Sequence, residues 1–252
     1  MARPQPQLTS SLPSRYFGTE WQSPPRLDEE AALLLAPASQ IVDLLRPLLD
    51  EKRAARLDEV AAGRLSGVVV VLEDLHDPHN GGAVLRSCEA MGVGEVHIIA
   101  SRERFRVSDK VTQGADKWLE VIEHRSTQAS LTALRQRGFL LAAAVPGAKK
   151  QLADLDPLQP TALLMGNEHA GLSAEARALC DVEFAIPLHG FSESLNLSVA
   201  TALCTFSMTS RRRAALDRRG DLDEAGLLDL RARYYLRDVR RALTIVRQRL
   251  AS

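Results

Sequence analysis

Three short stretches of this chain crowd glycines and small polar side chains into places where a strand hands over to a helix. They are Asp77-Pro78-His79-Asn80-Gly81-Gly82-Ala83-Val84-Leu85-Arg86, then Leu164-Met165-Gly166-Asn167-Glu168-His169-Ala170-Gly171-Leu172-Ser173, then Gly190-Phe191-Ser192-Glu193-Ser194-Leu195-Asn196-Leu197-Ser198. The first N–H groups of a helix lack intrahelical partners, so such junctions can hold a polar ligand. Glycines at positions 81 and 82 permit close approach of a ligand or a second backbone. A helix beginning near Asn80 puts that side chain close to the N-cap and Arg86 about a turn and a half further on. Taken alone, the pair reads as an N-cap and a surface arginine.

Other chemistries fit these residues less well. His76 and His79 could be imagined as a metal pair, but no third ligand stands nearby and Pro78 argues for a turn. Gly166 and Gly171 have the glycine spacing of a phosphate loop, yet Leu172 occupies the position where the lysine is required. His189 lies near Ser192 and Ser194 without a Gly-x-Ser-x-Gly elbow. The chain also lacks a Gly-x-Gly-x-x-Gly dinucleotide fingerprint.

The elements that must position these residues alternate in type. Val68-Val69-Val70-Val71-Leu72 reads as a strand buried on both faces. A helix over 82–91 follows, then a strand over 95–99 and another at Trp118-Leu119-Glu120-Val121-Ile122. A helix over 126–137 ends at Gly138. Strands are expected at 139–145, 161–165 and 182–188, with Ser173 capping a helix through Leu179 and a last helix over 194–212, where Ser198 is a candidate cap. The pattern predicts an α/β domain with a mainly parallel sheet. Residues 28–62 suggest two helices broken near Pro37, and the tail from Asp221 is helix-like and rich in arginine. The Pro-rich residues 1–26 read as a disordered tail. The expected organisation is therefore 1–26, a helical extension 27–66, the α/β domain 67–213 and a basic helical extension 214–252.

Composition sets wider bounds. Among 252 residues, 45% are hydrophobic, enough for a substantial core. The 32 basic and 32 acidic side chains cancel, so any affinity for nucleic acid must come from local clusters. Cys88, Cys180 and Cys204 are isolated and lack metal-ligand spacing, which fits a reducing compartment. The N-terminus lacks a basic start and an apolar core of secretory type, and no long apolar run is present. The expectation is a cytoplasmic protein.

Taken in order, the three stretches resemble the signature motifs of SpoU-type (TrmH-type) RNA 2′-O-methyltransferases of the SPOUT class. Asn80, Ala83 and Arg86 match Asn-x-x-Ala-x-x-Arg. Gly166-Asn167-Glu168 through Gly171 matches the second motif, and Ser194, Leu195, Asn196 and Ser198 match Ser-Leu-Asn-x-Ser. The likeness runs from about Gly67 to Arg213. It implies a SPOUT fold whose C-terminal half carries a deep trefoil knot, and a homodimer in which Leu195, Leu197, Val199 and Leu203 could form the contact. It implies S-adenosyl-L-methionine held by Ala144, Val145, Gly166, Asn167, Glu168, Gly171, Ile186, Leu188, Ser194, Leu195 and Asn196, and no metal.

The same resemblance makes Arg86, Asn80, Ser194 and Glu168 the catalytic set. Family proposals treat the arginine as a general base. Its high pKa, roughly 12 or above, favours a clamp on phosphate and on the developing alkoxide instead, and the two roles stay open here. Glu168 could equally serve to bind loop N–H groups and hold its turn rigid. Helical extensions at both ends look most like the branch that methylates a D-loop guanosine ribose in tRNA. A ribosomal-RNA methyltransferase and a non-catalytic RNA-binding protein are the alternatives. Arg211, Arg212, Arg213, Arg237, Arg240 and Arg241 are the expected RNA contacts.

Overall fold

The computed structural model describes residues 25–101 and 109–251. The disordered tail expected over 1–26 lies outside the described residues, apart from Pro25 and Arg26, which open a helix. Three helices come first: α1 (Pro25–Leu35), α2 (Ala38–Leu45) and α3 (Glu51–Ala62). Only two were expected. The extra break comes from a 3-10 turn at Arg46–Leu48 that contains Pro47, after which the Asp50 carboxylate accepts the Arg53 N–H at 2.9 Å and starts α3.

From there β and α alternate: β1 (Val68–Glu73), α4 (Pro78–Met91), β2 (Glu95–Ile99), α5 (Asp109–Thr112), β3 (Glu120–His124), α6 (Thr127–Gln136), β4 (Leu140–Ala144), β5 (Lys150–Gln151), β6 (Thr161–Met165), α7 (Ala174–Leu179), β7 (Val182–Ala185) and α8 (Leu197–Leu216). The seven strands form one all-parallel sheet in the order β3-β2-β1-β6-β4-β7-β5. Every residue of β1 is buried. Val68, Val70 and Leu72 face the layer holding Val84, Leu85, Cys204 and Met208, while Val69 and Val71 face Leu131, Leu134 and Ala176. A sheet covered on both faces needs such a continuous apolar run.

Several boundaries differ from expectation. The third strand begins at Glu120, because Glu120 aligns with Glu95 and Trp118 belongs to a preceding 3-10 turn. The seventh ends at Ala185, short of Leu188. Its neighbour β5 offers only two paired residues, and Pro187 has no N–H to continue a ladder. Asp77, not Asn80, caps α4, with Pro78 in its first turn. Asn196, not Ser198, caps α8, which runs on to Leu216.

Two further helices, α9 (Glu224–Asp238) and α10 (Ala242–Leu250), complete the chain. Two compact units result: one holds 65–218, the other joins the described residues before Leu65 to those from Arg219 onward. The two helical extensions are thus one unit rather than two. Inside it, Arg237 donates from Nε to Glu29 Oε1 at 2.7 Å and from Nη2 to Oε2 at 3.0 Å, with both side chains buried. Asp58 accepts from Arg231 Nε and from the Tyr235 hydroxyl, each at 2.6 Å.

Candidate active site

The sheet decides what meets. Its order reverses between β1 and β6, and in parallel α/β sheets ligands bind beyond the strand C-termini at such a point. The first motif follows β1 and the second follows β6, so the two loops emerge side by side.

The second motif is a tight turn. Asn167 N–H donates to Gly171 O at 3.0 Å, and Gly171 N–H returns to Asn167 O at 2.9 Å. The Asn167 Oδ1 accepts the His169 and Ala170 N–H groups at 2.8 and 3.1 Å, and its Nδ2 donates to Asp74 O at 2.6 Å. Gly171 sits at φ 67, and a Cβ on Gly166 would lie 2.2 Å from Gly171 C and Leu172 N. Both glycines are therefore required by the turn itself.

Glu168 projects from this turn to the first motif. It accepts from His76 N at 3.2 Å, from Asp77 N at 3.4 Å and from Asn80 Nδ2 at 2.9 Å. Burial pushes its carboxyl pKa up, but the Asn80 amide and the backbone N–H groups of Glu168, His76 and Asp77 outweigh that and hold it below the usual carboxylate range. Asn80 then reaches the third motif, its Oδ1 accepting from Asn196 Nδ2 at 3.1 Å. Asn196 Oδ1 accepts from Ser198 N, Ser198 Oγ and Val199 N, which caps α8. One asparagine on α4 thereby ties together all three motifs.

Other expected residues lie on neighbouring strands, helices and loops. Ala144, Val145 and Ile186 are half-buried at the ends of the neighbouring strands β4 and β7, and Leu195 is half-buried before α8. Leu188 and Ser194 are exposed. Arg86 is exposed on α4 and engages no carboxylate among the described residues. Neither Arg86 nor Ser194 joins the Glu168–Asn80–Asn196 trio.

Four of the arginines expected to meet RNA are otherwise engaged. Arg211 donates to the carbonyls of Leu152 and Leu155, Arg212 to those of Pro157 and Leu158, and Arg213 to that of Met91. Helix ends and loops leave such carbonyls unsatisfied, and a guanidinium fork suits them. Arg237 is buried on Glu29. Arg240, Arg241 and Arg247 are exposed. Of the α8 residues expected at a subunit contact, Leu197 is buried within the chain, while Val199 and Leu203 are exposed together with Phe206, one turn further on. Among the described residues no group of three or more His, Cys, Asp or Glu side chains is placed to hold a metal ion. No single helix there is long and apolar enough to cross a membrane, although the bent pair Asp28–Leu35 and Ala38–Leu48 passes on length and composition.

Residues 67–206 match the SpoU rRNA Methylase family model. The tRNA (guanosine(18)-2′-O)-methyltransferase of Thermus thermophilus is 36% identical over 175 residues, covering 69% of this chain and 90% of that protein. The A. aeolicus TrmH/SpoU tRNA modifying enzyme has a similar structure, with TM-score 0.68 and 28% identity over 76% of this chain and 98% of that one. The SpoU methyltransferase AviRb from Streptomyces viridochromogenes, solved in complex with AdoMet, has TM-score 0.53 and 27% identity over 58% and 60% of the two chains.

Proposed function

The chain belongs to the SpoU rRNA Methylase family, and from that premise we propose that it transfers the methyl group of S-adenosyl-L-methionine to the 2′-hydroxyl of a D-loop guanosine in tRNA. The observation that carries this reading is the Asn80 bridge, which fixes Glu168 and Asn196 to one amide and so fixes the turn after β6 against the start of α8.

The residues present suit the cofactor. Ala144, Val145 and Ile186 offer apolar walls, and the Gly166–Gly171 turn offers fixed backbone groups beside them. Gly147 and Gly171, both with positive φ, leave open space where a Cβ would stand. Leu188, Ser194, Leu195 and Asn196 complete the cofactor-binding set. When bound, S-adenosyl-L-methionine supplies an electrophilic methyl group on a sulfonium. Glu168 keeps its turn rigid, and Asn80 and Ser194 orient the ribose. A guanidinium is a planar fork of donors, so the work of Arg86 is to clamp a substrate phosphate and stabilise the 2′-oxygen as its proton passes to solvent.

The reading extends to assembly and binding. Val199, Leu203 and Phe206 expose one apolar stripe of α8, which supports a homodimer. Arg240, Arg241 and Arg247 supply exposed basic groups for the RNA backbone. A cytoplasmic location and the family's trefoil knot belong to the same proposal.

The test is methyl incorporation from labelled S-adenosyl-L-methionine into an unmodified tRNA transcript, beside the same transcript carrying a single 2′-deoxy guanosine in the D-loop. Incorporation into the first alone is expected. Equal labelling of both would move the target elsewhere, and labelling of ribosomal RNA but no tRNA would overturn the tRNA reading.

A further inference from the structure

Asp74, the first residue after β1, is one of four non-glycine residues with left-handed backbone among those described, at φ 48. Side chains other than Asn and Asp resist that conformation. Each polar group of Asp74 is engaged. Its N–H donates to Ile99 O at 2.8 Å, at the end of β2. Its carbonyl accepts Asn167 Nδ2 at 2.6 Å. Its two carboxylate oxygens accept from Ser101 N at 2.8 Å and from Ser101 Oγ at 2.7 Å. The ends of β1 and β2 and the turn after β6 therefore meet at this one residue.

The linkage continues into the site. Asn167, held by the Asp74 carbonyl, fixes the His169 and Ala170 N–H groups with its other end, and Glu168 lies inside that same turn. Little core packing depends on these contacts, since Asp74 is half-buried and Ser101 exposed. An anchor of this kind serves local order more than global stability. We propose that Asp74 is a positioning residue for methyl transfer, setting the 166–171 turn from outside the three motifs. This rests on the reading of that turn as the cofactor site.

The full-length protein would be compared with Asp74→Gly, Asp74→Asn and Ser101→Ala. Glycine keeps the backbone conformation but loses both links to Ser101. Asparagine tolerates the same conformation and can still accept from Ser101 N–H while its amide donates to Ser101 Oγ. A displaced catalytic turn is costly, so Asp74→Gly should lower kcat at least about tenfold and weaken S-adenosyl-L-methionine binding at least about threefold. Its melting temperature should stay within a few degrees of wild type, and KM for tRNA within about twofold. Asp74→Asn should recover most of the loss, and Ser101→Ala should fall between the two. Near wild-type kcat in Asp74→Gly would overturn the proposal, as would an Asn variant no better than Gly, or losses that track melting temperature. A wild-type protein that binds no S-adenosyl-L-methionine would instead overturn the reading beneath it.

Discussion

Replacing Asn80 by Asp changes one group in the network and almost nothing in volume. The Nδ2 that donates to Glu168 Oε1 at 2.9 Å becomes an oxygen, while the Asn196 Nδ2 still finds an acceptor. Two carboxylates then face each other. Unit charges about 4 Å apart repel by about 4 kcal/mol at an effective dielectric near 20 and by about 1 kcal/mol in water. Glu168 is only half-buried, so the screened cost lies nearer the lower end, about 1–2 kcal/mol. If the turn carrying Glu168 holds the cofactor, that corresponds to roughly a 5–30-fold loss of affinity. The loss should depend on pH. As pH falls, the facing pair takes up one proton and an O–H···O bond replaces the repulsion. Calorimetric Kd values for S-adenosyl-L-methionine between pH 8 and pH 5 would therefore converge with wild type toward acid. Asn80→Ala loses both bonds and gains no titrating group, so its deficit should stay flat. A pH-independent deficit in Asn80→Asp, or none at pH 8, would refute the assigned role of the Asn80–Glu168 bond.

Arg86→Ala should cut single-turnover methyl transfer by at least about a hundredfold with cofactor affinity within a few-fold, and Arg86→Lys should retain on the order of one to ten per cent, because lysine keeps the charge but loses the planar fork. Wild-type turnover by the alanine variant would return Arg86 to the surface. Gly166→Ala drives a methyl group to 2.2 Å from backbone atoms of Gly171 and Leu172, so cofactor binding should fall about tenfold or more in a protein with near-native circular dichroism. Arg240→Ala with Arg241→Ala should weaken tRNA binding and flatten its salt dependence by roughly two phosphate contacts, whereas tRNA affinity unchanged at any salt would dismiss these contacts. In the sheet, burial and the neighbouring His97 push the His124 pKa down to about 4 against the opposing pull of Glu95. The unfolded chain then binds the extra proton first, so stability falls as pH drops from about 6.5 to about 4, by on the order of 3 kcal/mol. Burial raises the Glu95 pKa, but Arg137 and His97 bring it down to about 2, which adds a further loss as pH falls below about 4.5. Acid titration of wild type and His124→Asn, followed by denaturant melts, would show the upper part of this slope disappear in the variant or disprove it.

Local chemistry made much of the fold readable. The valine run of β1 is typical of a strand covered on both faces, and Ser173 could be named as a cap because its hydroxyl has a helix N–H within reach, that of Ala176 at 3.0 Å. What local chemistry could not supply was the identity of distant partners. A run of three arginines looks the same whether it faces RNA or the carbonyls of helix ends and loops. Arg212 is buried because the loops at Pro157 and Leu158 fold beneath it, and Gly67 leaves the room: a Cβ there would lie within 2.3 Å of the guanidinium carbon. Arg237 looked like part of a basic tail because Glu29, its partner, stands at the other end of the sequence.

The site residues show the opposite case, in which distant contacts explain residue type. Asn80 must donate to a carboxylate and accept from an amide at once, which an aspartate or a serine cannot do in that geometry. Asn196 must present an oxygen to the first N–H groups of α8 and still donate toward Asn80. Aspartate would cap the helix equally well but would set an acceptor against the Asn80 oxygen. Glu168 must accept from three donors, which only an ionised carboxylate does without keeping a proton in the way. Two amides and one carboxylate are thus the arrangement that leaves no donor facing a donor and no acceptor facing an acceptor. The pattern Asn…Glu…Asn follows from that pairing, with the exposed Arg86 left outside it.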